Sequence, residues 1–204
     1  FLLNTYQDKK HLQYGIALTK KLAEHNWTKP EVIEIPELKY QGDFYDFFIS
    51  KDESILLISI KGEDSNGEED LYVSLQNEGK WSKPTNLSAK INTTGFEMSP
   101  FLSSDSKFLY FSTNGRTDGL GDADIYVSER LDDTWTNWSE PKNLGNKINS
   151  AKMDCYFTIS ERNEYFFSSN RDQDNLDIYQ AILEEEKLPI DQNILLSGIV
   201  TEEK

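Results

Sequence analysis

The sequence predicts an all-β chain built from a repeated four-stranded antiparallel sheet. Three observations predict it. The chain repeats itself at 53 to 55 residues. Its apolar runs are short and are separated by Gly, Asn, Asp and Ser, the residues of turns. No long segment carries a helical period, apart from a weak one at 16–25.

The repeat is read from third-strand candidates. "EEDLYVSLQNEGKWSKP" (68–84) aligns with "DADIYVSERLDDTWTNWSEP" (122–141), and more loosely with "NLDIYQAILEEE" (175–186) and "QYGIALTKKLAEHNWTKP" (13–30). Asp70, Asp124 and Asp177 share one position, with Gly15 there in the first copy; the intervals are 55, 54 and 53 residues. Tyr72, Tyr126 and Tyr179 follow two residues later, where the first copy has Ala17. Trp27, Trp81 and Trp138 mark the end of three units, and Ile91-Asn92 returns as Ile148-Asn149.

Each unit has four parts in order. An apolar run ending in Ser, such as "SPFLSS" (99–104), is the first strand. A short polar turn leads to "KFLYFST" (107–113), with partly alternating polarity, as the second. A Gly/Asn/Asp loop leads to "DIYVSER" (124–130), the third, and another turn to "WSKPTNL" (81–87) and its copies, the fourth. Even "FLLNTY" at the start resembles "FSTNGR" at 111–116.

A four-stranded up-and-down unit repeated at this length predicts a β-propeller blade. The units fall near 1–42, 43–95, 96–152 and 153–183: about three full blades plus part of another. Propellers close with roughly four to eight blades. Either strands from the two ends complete one shared blade, or more blades precede Phe1; the second is favoured, making the chain an incomplete piece of a larger propeller. Residues 184–192, "EEEKLPIDQ", read as a linker. Residues 193–204, "NILLSGIVTEEK", begin either a following β-sandwich or a ring-closing strand.

Composition narrows the function. The 204 residues carry a net charge of −15, with a pI near 4.5. That opposes binding to nucleic-acid phosphates and to anionic membrane surfaces, both of which need clustered Lys and Arg. No run of about 18 apolar residues exists, so no transmembrane helix is expected. The chain opens on Phe1 without a signal-peptide pattern and reads as a processed or cut piece, so the lack of targeting signals is silent about location. The lone Cys155 lies in a strand-like run and reads as a small buried hydrophobe; a catalytic thiol would need a nearby His, and His11 and His25 precede the clear repeats.

The stretch "TDGLGDADIYVSER" (117–130) raises the question of chemistry. A catalytic group is needed once, a scaffold group once per blade. Because Asp124 recurs as Asp70 and Asp177, its expected role is to accept backbone N–H bonds and tie the loop to the third strand. A calcium ion held by Asp118, Asp122 and Asp124 is the lesser alternative; the stretch lacks EF-hand spacing, and calcium wants about six to eight oxygens. Asp118 has no evident repeat counterpart. Glu97 and Asp154 share a first-strand position; they read as per-blade polar contacts, or as paired channel carboxylates of a hydrolase. No G-x-S-x-G, H-E-x-x-H or phosphate-loop motif is present. The repeating Trp27, Trp81 and Trp138 read as inter-blade packing anchors. Trp135 lies in a three-residue insertion without counterpart and reads as a partly buried loop anchor or, alternatively, as the candidate partner contact. No cofactor is expected.

The motifs "E-x-S-P-x-L-S-x-D" (97–105), "LYFST" (109–113), "GLGDADIYVSER" (119–130) and "W-S-x-P-x-N-L" (138–144) resemble the WD40-like β-propeller repeat of TolB-like proteins, over about residues 1–183. The Gly-rich "GLGDADIY" version is more similar to multidomain OmpA-family envelope proteins of Bacteroidetes than to TolB itself. The resemblance implies a non-enzymatic, protein-binding scaffold on the periplasmic side of the outer membrane. Its implied partners are other envelope proteins, with peptidoglycan bound through a domain outside this chain, within a secretion (type IX) or gliding apparatus. "ILLSGIVTEEK" resembles the opening strand of a carboxypeptidase-regulatory-like β-sandwich. The alternative function is a propeller hydrolase acting on glycan or peptide. The first copy departs from the pattern at Gly15 and Ala17, and "SERNE" (160–164) lacks the usual turn Asp.

Overall fold

The computed structural model describes residues 2–8, 11–39, 41–172 and 175–182, which form an all-β structure of small antiparallel sheets. The first sheet joins β1 (Leu2–Asp8), β2 (His11–Leu18) and β5 (Glu31–Val32), with β3 (Lys21–Ala23) and β4 (Asn26–Trp27) as a side hairpin. The second orders β6 (Gln41–Ile49), β7 (Ile55–Lys61), β8 (Asp70–Asn77) and β10 (Thr85–Asn86), with β9 (Lys80–Trp81) turned back on β8. The third orders β11 (Glu97–Leu102), β12 (Phe108–Thr113), β13 (Asp124–Glu129) and β14 (Lys142–Asn143). The fourth holds β15 (Asp154–Ile159), β16 (Tyr165–Ser169) and β17 (Asp177–Ala181). Residues 184–204, with the expected linker and β-sandwich or closing strand, lie outside the described residues.

The register repeats with the sequence. Ile60 pairs with Asp70, Thr113 with Asp124, and Ser169 with Asp177. Two positions on, Ile58 faces Tyr72, Phe111 faces Tyr126, and Phe167 faces Tyr179. In the first sheet Leu3 lies opposite Ala17, the place that Phe111 takes opposite Tyr126, and the register shifts between Leu3 and Thr5. The weak helical pattern at 16–25 is the end of β2, then β3 and its turn. Pairing with β5 and β4 satisfies those backbone groups, and ten residues of weak period do not outweigh it.

The first turn of each unit is clamped by a serine. Ser50 Oγ donates to Asp52 Oδ1 at 2.6 Å and accepts from Ile55 N at 3.0 Å. Ser103 does the same with Asp105 (2.5 Å) and Phe108 N (2.9 Å). Glu53, Ser106 and Asn163 hold the left-handed φ of these turns, near 60°. In "SERNE" the missing Asp is replaced by Glu164, whose Oε2 takes the Ser160 hydroxyl at 3.1 Å.

Each sheet packs face to face on the next. Ile16 meets Leu56, Ile58, Tyr72 and Trp81 between the first and second sheets. Leu57, Leu71 and Leu87 meet Leu109, Phe111 and Tyr126 between the second and third. Tyr110, Ile125 and Ile148 meet Phe157 and Phe167 between the third and fourth. The central strands are thus buried on both faces, which is why "ILLISI" and "FLYF" are continuously apolar rather than alternating. β11 touches β6, β7 and β8 of the sheet before it, and β15 touches β11, β12 and β13. Among the described residues no strand of the first sheet touches the fourth.

Candidate functional site

The chemistry-bearing side chains gather where the loop before each third strand meets the start of the next sheet. Asp70 and Asp124 are buried there. Asp70 Oδ2 accepts from Asn66 N at 2.9 Å and Asn86 Nδ2 at 2.9 Å. Asp124 Oδ2 accepts from Leu120 N and from Asn143 Nδ2, the latter at 3.1 Å. Both carboxyls lie above the usual carboxylate range because burial disfavours the charge, opposed by those backbone N–H groups. In each the second oxygen, Oδ1, is buried without a hydrogen bond. Asp177 is exposed.

An asparagine then stands in for a longer fourth strand. Asn92 Oδ1 accepts from Leu71 N at 2.8 Å, and its Nδ2 donates to Leu71 O at 3.0 Å and Asn86 Oδ1 at 2.8 Å. Asn149 brackets Ile125 and binds Asn143 in the same way, at 2.8, 2.9 and 2.8 Å. β10 and β14 are only two residues long; the amides take up the Leu71 and Ile125 N–H groups, while the carbonyls of Leu71 and Ile125 also accept from Leu87 N and Leu144 N.

The third-strand tyrosines reveal a repeat that sequence reading missed. Tyr72 Oη donates to Asp64 at 2.8 Å, Tyr126 to Asp118 at 2.9 Å, and Tyr179 to Asp172 at 2.7 Å. Asp118 therefore does have counterparts. The available signal was an acid seven or eight residues before each tyrosine, hidden by unequal loops. Arg116 lies 5.5 Å from the Tyr126 ring centre and Arg171 lies 5.0 Å from that of Tyr179.

The acids of the first strands are also engaged. Glu97 accepts from Thr93 N (2.8 Å), Thr93 Oγ1 (2.6 Å) and Thr113 Oγ1 (2.6 Å). Burial pushes its carboxyl up, with the threonine hydroxyls opposing. Asp154 accepts from Ser150 N (2.6 Å), Ser150 Oγ (2.8 Å) and Arg171 Nη2 (2.7 Å). The sheets are stitched here: Glu97 N donates to Glu69 O at 2.7 Å and Asp154 N to Ala123 O at 2.8 Å. A Cβ on Gly67 would collide with the backbone of Thr94 and Gly95, and one on Gly121 with that of Ser150, Ala151 and Lys152. The glycines of these loops permit that approach.

The structure does not gather Asp118, Asp122 and Asp124 into one set of ligands. Asp118 is bound to Tyr126, Asp124 to its own loop, and Asp122 points to solvent. Among the described residues no three His, Cys, Asp or Glu side chains are placed to hold a metal ion. Trp135 is corrected as well. It is 6% exposed within the core between the second and third sheets, so it offers a partner no face. Its φ of 64° turns the indole inward, its carbonyl accepts from Trp138 Nε1 at 2.8 Å, and the Arg130 guanidinium covers it at 4.7 Å. Trp81 and Trp138 are buried against the preceding sheet, whereas Trp27 is 39% exposed, because no described sheet precedes its own. Cys155 is buried and its thiol is pushed up to about 12, mainly by that burial, so it is not a thiolate at neutral pH.

One cluster was not foreseen. Asp46 on β6, Ser99 on β11 and Tyr156 on β15 hold the same place in successive first strands, three residues before Ile49, Leu102 and Ile159. Each strand shifts register there. Ser99 and Tyr156 have φ of 54° and 55°, a strained backbone for non-glycine residues. Asp46 Oδ2 and Ser99 Oγ are buried without a hydrogen bond, and Tyr156 is 44% exposed. Burial raises the Asp46 carboxyl, opposed by the hydrogen bond from the Phe47 N–H. Three unlike residues at one position gave no motif to find.

No protein-family model and no curated protein matches the chain. Among solved structures, the crystal structure of an alpha-L-arabinofuranosidase from Lactobacillus brevis superposes with a TM-score of 0.47 at 13% identity, covering 82% of this chain. The match spans 62% of that structure's length, and at that score it identifies neither fold nor activity.

Proposed function

We infer that the chain is a non-enzymatic binding scaffold: WD40-like, four-stranded blades of a β-propeller in an OmpA-family protein on the periplasmic side of the outer membrane. Its partners are other envelope proteins, in a secretion or gliding apparatus, with peptidoglycan reached through a domain outside this chain. The envelope assignment rests on the repeat resemblance. The scaffold assignment rests on one observation: the repeated acids are spent on the fold. Glu97, Asp154, Asp70 and Asp124 each accept the hydrogen bonds of their own loops and strands. A rigid repeated framework then presents variable loops, and the −15 net charge steers a basic partner patch within a Debye length of about 8 Å.

The test has two arms. Purified protein is assayed for turnover on glycan and peptide panels beside Glu97→Gln and Asp154→Asn. Turnover that either substitution abolishes, with the melting curve intact, would sink the scaffold reading and establish the hydrolase. The native polypeptide is also extracted from source-cell envelopes, weighed intact and examined for companions. A lone species of 23.6 kDa would end the multidomain envelope reading.

A further inference from the structure

Arg116 and Arg171 fill the same seat in successive units. Arg116 Nη2 donates to Lys90 O at 2.6 Å and reaches Ile91 O at 3.4 Å. Its Nη1 donates to Glu140 Oε1 at 3.4 Å. The guanidinium lies 5.5 Å from the centre of the Tyr126 ring, whose hydroxyl donates to Asp118. Arg171 donates to Ile148 O and to Asp154 Oδ1, and lies 5.0 Å from the ring centre of Tyr179, whose hydroxyl donates to Asp172. In both units the cation ties the loop before the third strand to the carbonyl of an isoleucine in the preceding unit.

The second sheet keeps the seat but brings no arginine to it. Ile60 pairs with Asp70 as Thr113 pairs with Asp124, and the residue three places on is Glu63 where the third sheet has Arg116. A cavity of about 240 Å³ opens there. Its lining holds a counterpart of each group around Arg116: Tyr72 for Tyr126, Asp64 for Asp118, Lys83 for Glu140, Glu37 for Lys90 and Leu38 for Ile91. The same turn fixes the last of these, since Leu38 N donates to Ile35 O at 3.3 Å as Ile91 N does to Ser88 O at 3.0 Å. The ion pair across the mouth is retained with its signs exchanged: Lys83–Glu37 at 2.8 Å stands for Lys90–Glu140 at 2.9 Å. Glu63 itself is exposed and paired with Lys39 at 3.1 Å. The repeat therefore selects the occupant. A planar cation can lie on the tyrosine ring while its edge donates to the carbonyls; an ammonium has no plane to stack.

We propose that the cavity between Leu38 and Tyr72 binds a guanidinium from outside the chain, the arginine side chain of a basic partner, lying on the Tyr72 ring with its donors toward the Glu37 and Leu38 carbonyls. This contact gives the binding-scaffold reading one named partner group, and it is measured without reference to turnover or to companions, so each can fail alone. The isotope-labelled full chain is titrated with N-acetyl-arginine amide, with its citrulline and lysine analogues and with methylguanidinium, following the amide resonances of Lys39, Gly62 and Asp64 by NMR. The arginine amide should give saturable shifts in the millimolar range, and the citrulline and lysine analogues should bind at least about tenfold more weakly. Glu63→Arg supplies the cation from the chain and should abolish binding, whereas Glu63→Gln removes the same charge without filling the seat and should retain it. Both changes are at an exposed side chain, so the fold is not at stake. Methylguanidinium binding as tightly as the arginine amide would overturn the partner assignment in favour of a free guanidinium compound. No saturable shift, equal binding of the citrulline analogue, or binding that Glu63→Arg leaves intact overturns the proposal.

Discussion

The third and fourth sheets carry nearly the same third strand, "DIYVSE" and "DIYQA". In β13, Ile125 is fully buried and Asp124 is sealed in its loop; in β17, Ile178 is 80% exposed and Asp177 faces solvent. Pairing does not differ, since Phe167 meets Tyr179 as Phe111 meets Tyr126. What differs is the neighbour. The fourth sheet lies over Ile125 and Asp124 and supplies Phe157 and the Asp154–Ala123 backbone bond, whereas no described sheet lies over Ile178 and Asp177. In stacked sheets, burial is a property given to a strand by the next unit, and the same tripeptide is core or surface accordingly.

The largest expected effect is Ile125→Ala. Removing a fully buried aliphatic side chain costs about 2–5 kcal/mol, whereas Ile178→Ala should stay within about 0.5 kcal/mol. Urea unfolding of both variants at low concentration reads the contrast. Equal losses would mean that Ile178 is covered within one chain, and the comparison would fail.

A smaller effect is expected at the carboxylates. Asp124→Ala strands Leu120 N and Asn143 Nδ2 and should cost about 1–3 kcal/mol, the range for buried groups left unpaired. Asp177→Ala should leave the urea midpoint unchanged. A silent Asp124→Ala would show that its unpaired Oδ1 had already cancelled the benefit of the other oxygen.

The smallest effect is with pH. Asp46, Asp70, Glu97 and Asp124 all have folded pKa values raised by burial. A raised carboxyl binds protons more readily folded than unfolded, so its stabilising contribution is complete below the unfolded value. It is lost as pH rises through the folded value. The urea midpoint should therefore be higher just above the ordinary carboxylate range, about pH 4–5, than at neutral pH, and Asp124→Asn should flatten part of that slope. The serine-held Asp52 is lowered and acts in the opposite direction, but it is fully at the surface. A midpoint that climbs steadily toward neutral pH would contradict the assignment.

Much of the site was legible because repetition makes structural roles visible. Asp70, Asp124, Tyr72 and Tyr126 occupy the places that the alignment gave them, and Asn92 and Asn149 lie where their paired recurrence pointed. The repeat did not help where loops change length, so Asp64, Asp118 and Asp172 went unmatched though all three bind a tyrosine hydroxyl. At Trp135 an insertion without a counterpart left both a loop anchor and a partner contact open; the left-handed φ and the Arg130 cover go with the anchor, more deeply buried than expected. The Asp46–Ser99–Tyr156 cluster had no sequence signature at all, because what those residues share is a backbone place and not a side-chain chemistry.

Sequence alone determined the all-β class, the four-part unit and the order of strands within it. Those follow from local chemistry: turn residues at fixed intervals, strand-length apolar runs, and an aspartate able to bind its own loop. Only the tertiary structure decided which faces are buried, which acids are engaged and which strand is left open. Those depend on the sheet stacked alongside, brought there from more than fifty residues away, and neither spacing nor composition encodes whether that neighbour is present.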